Sequence, residues 1–290
     1  MVANNLNGSC RGFSAEIACA MHPVHRRLGA AIVFVLSTAA SCSFATVPEI
    51  ELPPRTPQAR GLIVIAHGVE ARADSWPLTL ERAFRTHGAG EDLWDIYRVD
   101  WYELSLRPLA APRRGYALGL AIGRALSERV DSYEVIHLVG HSAGAHVVQG
   151  ITDAIGESAE PPVVFATFLD PFVARSVPRL YWGVRHLGTN ADFAESYVTR
   201  KDRVPFTNSL LQRAHNVDLT GILPAGPDQP DNFAHLWPIL YYRTPVLAGQ
   251  EAGILISPAA RLGEFVTSRS AGALAAELGR QYPTGDVTRP

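Results

Sequence analysis

The chain has 290 residues, enough for one large α/β domain or two small ones, and its 47% hydrophobic and 19% charged residues suit a globular chain with a sizeable core. A formal net charge of −2 at pH 7 offers no basic surface for nucleic acid. Nearly every basic residue is arginine, with Lys201 the single lysine, which reads as the bias of a GC-rich genome and not as a binding signal.

The three cysteines, Cys10, Cys19 and Cys42, all precede the first convincing strand. A disulfide inside the folded domain and a cysteine metal site are both excluded by that placement. The front of the chain reads as a targeting segment: the uncharged run 28-LGAAIVFVLSTAA-40 follows His25-Arg26-Arg27. This is the basic and apolar pattern of a secretory signal, shorter than the roughly 20 residues a membrane span needs. No second long apolar run follows, so no transmembrane span is expected. Ser43-Phe44-Ala45 offers cleavage after Ala45, while Ala39-Ala40-Ser41-Cys42 is a weak lipobox that would place a lipid anchor on Cys42. Met21 is the only methionine besides Met1 and is the expected initiator. The expected organisation is thus a signal region over 1–45, a Pro-rich connector over 46–60 and one domain over 61–290.

Along that domain, strands and helices alternate. Gly61–His67 is a short apolar strand, Ser75–His87 a helix with Ser75 as N-cap and Pro77 in its first turn, and Leu93–Trp101 an aromatic-rich strand. A long helix over Arg114–Val130 leads to a strand at Val135–Gly140, a helix from Ser142 to Ile155 and a further strand at Val163–Asp170. Near-continuous apolar strands alternating with helices predict a mainly parallel sheet with helices on both faces. Residues 171–234, rich in Pro, Asn and Asp, read as excursions over one edge of the sheet. In such sheets the ligand site lies at the carboxyl ends of the strands, where His67, Ser142 and Asp170 all fall.

Gly140-His141-Ser142-Ala143-Gly144 sits between strand and helix, the context in which G-x-S-x-G presents a nucleophile. A serine hydroxyl is a weak nucleophile and needs a base in hydrogen-bond reach, which in turn needs an acid to fix its tautomer. Asp170, ending a strand before Pro171, is the favoured acid; Asp202, in Thr199-Arg200-Lys201-Asp202, is its rival. Among the histidines downstream of the acid, His186, His215 and His235, the last is favoured because it opens the aromatic-apolar run 235-HLWPILYY-242. Oxyanion donors would be the backbone N–H of Ala143 and of Val69. His67, His137, His141 and His146 read as packing or hydrogen-bonding residues, and the five-residue gap from His141 to His146 misses the spacing of a helical metal pair.

Five motifs in order carry a family likeness: His67-Gly68-Val69 with Trp76, Val99-Asp100-Trp101, Val139 to His146, Leu169-Asp170-Pro171, and His235-Leu236 with Tyr241-Tyr242. In these the chain resembles the pancreatic-lipase-like branch of the α/β-hydrolases. The resemblance implies an α/β-hydrolase fold with Ser142 as nucleophile, Asp170 as acid, His235 as base, Val69 and Ala143 as oxyanion donors, and Gly140, His141 and Gly144 as the elbow around the serine. The animal lipases of that branch carry disulfides, a disulfide-closed lid and a C-terminal lipid-binding β-domain, features that this sequence does not display. The expectation is an exported serine hydrolase acting on a small-molecule or lipid ester, with no cofactor and no metal. An amidase, peptidase or polyester depolymerase using the same triad, and a non-catalytic binding protein on the same fold, stay open at this point.

Overall fold

The computed structural model describes residues 50–86, 88–129, 133–226, 229–248, 258–262 and 267–290. The signal region, Cys42 and both cleavage sites lie outside the described residues. Among the described residues no helix is long and apolar enough to cross a membrane.

Seven strands form one sheet in the order β2-β1-β3-β4-β5-β6-β7, and every neighbouring pair is parallel. They are β1 (Gly61–Ala66), β2 (Trp94–Val99), β3 (Val135–His141), β4 (Val163–Leu169), β5 (Phe193–Val198), β6 (His215–Asp218) and β7 (Val287–Thr288). In β1 and β3 every residue is buried, which is why these strands read as unbroken apolar runs and not as alternating ones.

Helices cover both faces. On one side α3 (Ala111–Ser127) and α4 (Gly144–Gly156) pack Leu118, Ile122, Val147 and Ile151 onto Leu62, Val64, Ile136 and Leu138. On the other, α1 (Trp76–Thr86), α6 (Phe233–Ala248) and α7 (Ser268–Gln281) bring Leu80, Phe84, Ile239, Tyr242 and Leu274 onto Ile63, Ile65, Val135 and Val139. The spacing explains the helices: α1 buries Pro77, Leu80, Ala83 and Phe84 on one stripe, and α7 buries Ala271, Leu274, Ala275 and Leu278. At the start of α7, Thr267 and Ser270 close a reciprocal capping box. Two short helices, α2 (Tyr102–Ser105) and α5 (Trp182–His186), sit in the connections after β2 and β4.

Several expectations shift in detail. Ser75 stands directly before α1, and its hydroxyl donates back to the Arg72 carbonyl at 2.6 Å. The elbow helix starts at Gly144 and not at Ser142, because Ser142 has a positive φ that no helix accepts. Residues 171–234 are not an excursion over an edge: they hold β5 and β6, both inside the sheet. Buried polar residues hid them. Glu195 and Ser196 interrupt β5, and β6 is the four-residue His215-Asn216-Val217-Asp218.

The parallel register aligns the carboxyl ends of the central strands, with Ala66 opposite Gly140 and Leu169 opposite Tyr197. β1 lies between β2 and β3, so the strand order reverses there. The loops leaving β1 and β3 flank that reversal, the place where open α/β sheets bind ligands.

Candidate active site

Ser142 occupies the single turn between β3 and α4 at φ 53°, in the left-handed region that non-glycine residues rarely enter. Its conformation is over-determined by its neighbours. Its N–H donates to the Leu169 carbonyl at 3.0 Å, and its own carbonyl accepts from Phe172 and Ala145, both at 3.1 Å. The flanking glycines answer to space. A Cβ on Gly140 would lie 2.8 Å from the Gly144 carbonyl oxygen, and one on Gly144 would lie 2.3 Å from that of Ala66. Any larger residue at either position would push the strand, the helix or β1 apart. The loop after β1 closes on the serine from the other side, where a Cβ on Gly68 would sit 3.0 Å from the Ser142 Cβ.

Val69 follows that contact, and Ala143 follows the serine. Among the described residues neither backbone N–H has a backbone acceptor. The Ala143 group stands at the start of α4, where the helix dipole favours negative charge. Both expected oxyanion donors therefore lie next in the chain to residues that define the serine's surroundings.

His235 sits in the first turn of α6, nearly fully buried. Its Nδ1 lies 2.6 Å from Asp170 Oδ2 and 3.0 Å from Asp202 Oδ2. The ring is clamped from the strand ends: His141 packs against it with centroids 4.5 Å apart, and the His141 Nε2–H donates to the His235 carbonyl at 3.1 Å. One residue earlier, the Thr199 hydroxyl donates to the Ala234 carbonyl at 2.6 Å. Asp170, at φ 44°, is held by its own N–H donating to the Tyr197 carbonyl at 2.8 Å and accepts the Thr199 N–H at 3.3 Å. Asp202 accepts the Val204 N–H at 3.0 Å and the Thr207 hydroxyl.

The electrostatics follow from burial and partners. Burial alone would lower the His235 pKa, but the hydrogen bonds and charges of Asp170 and Asp202 outweigh it and raise it to about 10. Burial pushes the Asp170 carboxyl well above the usual carboxylate range, with the nearby Asp202 charge adding to it and His235 opposing it. At Asp202 burial acts the same way, yet the contacts with His235, Asp170 and Thr207 overcome it and hold that carboxyl low. Burial, and next the facing His235, keep His141 well below the ordinary histidine value.

The other histidines do structural work. His67 stacks on Trp101 and its Nδ1 bonds the Gly68 carbonyl at 2.8 Å, shaping the loop after β1. His137 joins Thr167 in a buried network with Glu195, and His146 bonds the Phe172 carbonyl while stacking on Trp182. The two rivals for the base are elsewhere: His186 is exposed and bonded to Trp182, and His215 opens β6, bonded to Pro283 and Thr288. Asp170, Asp202 and His235 also form a set that could hold a metal ion, with ligand atoms within 4.8 Å of one another. Those atoms are the ones that join the two acids to the imidazole. The sequence weighed Asp202 only as a rival to Asp170, whereas the structure places both on the same nitrogen. No sequence signal shows this pairing, because it depends on β5 lying beside β4 in the sheet.

No family model and no curated protein matches the chain. Among solved structures, it is similar to a candidate hydrolase of the alpha/beta superfamily from Xanthomonas campestris pv. campestris. The identity is 20% over 50% of this chain and 75% of that one, with a TM-score of 0.35. A candidate cell surface hydrolase from Lactobacillus plantarum WCFS1 matches at 11% identity over 66% of this chain and 92% of that one, TM-score 0.44. A lipase-esterase related protein from Clostridium acetobutylicum ATCC 824 matches at 7% identity over 65% and 94%, TM-score 0.35. The chain's own sheet order, parallel strands and strand–serine–helix turn carry the fold. It is an α/β fold, a parallel seven-stranded sheet with helices on both faces.

Proposed function

We propose that the protein is a serine hydrolase that cleaves carboxylic esters through an acyl-enzyme on Ser142. The observation that carries this reading is the combination of a serine locked at positive φ between strand and helix and a buried histidine whose Nδ1 faces carboxylates. With Nδ1 so engaged, Nε2 is the nitrogen left to accept the Ser142 proton. As the Ser142 Oγ bonds the substrate carbonyl carbon, the carbonyl oxygen takes the negative charge, met by the N–H groups of Val69 and Ala143. Collapse breaks the carbon–alkoxide bond, and the alkoxide leaves with the proton from His235. Water then attacks the acyl-enzyme, giving its proton to His235, which returns it to Ser142 as the acid departs. Asp170 orients the imidazole through its contact with Nδ1.

The finer parts of the reading are a lipid or other acyl ester as substrate, a pancreatic-lipase-like ancestry, and export behind the N-terminal segment, with Cys42 as an anchor if the lipobox is used. Purified residues 46–290 and the Ser142→Ala variant, assayed on nitrophenyl esters of increasing acyl length, test the activity. Wild-type hydrolysis that Ser142→Ala abolishes, with fluorophosphonate labelling at Ser142, supports the reading; equal rates in both proteins end it. Mass spectrometry of the exported N-terminus separates a Thr46 start from a lipid-modified Cys42.

A further inference from the structure

We propose that Asp202 is a second positioning residue for His235, sharing with Asp170 the acid role. The inference rests on the triad reading and deepens it. Both carboxylates reach the same nitrogen, at 2.6 Å and 3.0 Å, and both are buried, so water supplies little of the solvation either needs. They are not equivalent. Asp202 accepts from the Val204 N–H and the Thr207 hydroxyl, while Asp170 has, besides His235 and the neighbouring Asp202 carboxyl, one longer bond from the Thr199 N–H at 3.3 Å. A carboxylate with more donors carries negative charge at lower cost. Asp202 is therefore the better anion, and Asp170 has the closer contact with the ring.

Charge balance points the same way. The groups facing His235 are these two acids from the ends of β4 and β5 and His141 from the end of β3, with His67 behind His141. Both of those histidines are lowered by burial and stay neutral. With His235 charged and both carboxylates ionised, the buried trio would hold a net negative charge; a proton on Asp170 makes it neutral, which burial favours. The directions at the three groups agree: Asp170 raised, Asp202 lowered, His235 raised. When Ser142 passes its proton to His235, Asp202 supplies the counter-charge and Asp170 fixes the ring.

The test compares Asp170→Asn, Asp202→Asn and the double variant in the full protein. The readouts are the NMR titration of the His235 ring, kcat and KM on a nitrophenyl ester, and thermal melting. Shared acids predict that each single variant lowers the His235 pKa and cuts kcat by about 10–10²-fold with KM held, while the double variant approaches the roughly 10⁴-fold loss of a triad without its acid. An Asp202→Asn variant whose ring titration and kcat match wild type overturns the proposal, as does one that alone loses the full factor. If Asp202→Asn does not fold, Thr207→Val takes the hydroxyl from that carboxylate and shifts the His235 titration to a smaller degree; an unchanged titration again overturns it. The ring titration does not depend on turnover. If the protein hydrolyses no ester, a response to both substitutions keeps the shared acids while the hydrolase reading falls.

Discussion

Replacing Gly144 by alanine tests whether the elbow is built on backbone contact. The new Cβ would meet the Ala66 carbonyl oxygen at 2.3 Å and that of His67 at 2.6 Å, both main-chain atoms at the end of the central strand β1. Neither can swing aside as a side-chain tip could. Forcing an extra methyl into a packed site typically costs about 1–3 kcal/mol, and two fixed carbonyls place this site at the upper end. Alanine would return at most about 1 kcal/mol in helix propensity. The net loss is about 1–2 kcal/mol, which for a domain of this size lowers Tm by roughly 2–8 °C. Gly272→Ala is the matched control: it lies in α7 with nothing within 4 Å of its Cβ, so the same change gains about 0.5–1 kcal/mol. Because the clash pushes on the Ala66–Val69 segment, ester hydrolysis in Gly144→Ala falls as well, by up to about 10²-fold for a displacement near 1 Å. Melting curves and nitrophenyl-ester kinetics on the three proteins read both effects. A Gly144→Ala variant that melts and turns over like wild type refutes the close-packed elbow.

The pH profile is a second expectation. A protonated ring cannot accept the Ser142 proton, so with the His235 pKa at about 10 the rising limb of kcat/KM lies well to the alkaline side of the ordinary histidine value. The linked stability runs the opposite way: because the folded pKa is raised, that contribution is full below the unfolded value of about 6.5 and is lost as pH rises through about 10, which melts across this range detect. His141→Ala removes the bond to the His235 carbonyl and the ring packed on His235, and lowers kcat by roughly tenfold with little change in KM, as loss of positioning does. Thr167→Val takes the 2.7 Å hydroxyl bond from buried Glu195 and the 3.0 Å contact from His137. Denaturant titration of that variant shows a loss of about 1–3 kcal/mol, with kcat held. Dialysis against a chelator leaves ester hydrolysis unchanged, since His235 Nδ1 serves the acids; a loss restored by a divalent cation would turn Asp170, Asp202 and His235 into a metal site.

The elbow was legible in the sequence because its constraints are local. An apolar strand, a small-residue turn and a helix within 22 residues determine the backbone around Ser142, and close approach demands glycine at 140 and 144 wherever the rest of the chain goes. The parallel sheet was legible in the same way, since strands buried on both faces are apolar throughout. Residues 171–234 resist a reading from sequence because β5 and β6 carry buried polar groups: Glu195 accepts from Thr167 on β4, Asn216 bonds Leu211 nearby and Asp286 far along the chain, and the buried Ser196 hydroxyl has no hydrogen-bond partner among the described residues. The Asp170–His235 pairing was a choice among candidates in the sequence and a contact across 65 positions in the structure. Composition and spacing could rank Asp170 and Asp202 only as competitors, because a sequence does not say where two strand ends point. Adjacent parallel strands delivering both carboxylates to one side of the sheet, and α6 dropping His235 between them, made them partners. That outcome belongs to the tertiary structure, because the register of β4 against β5 determines the distance between their ends.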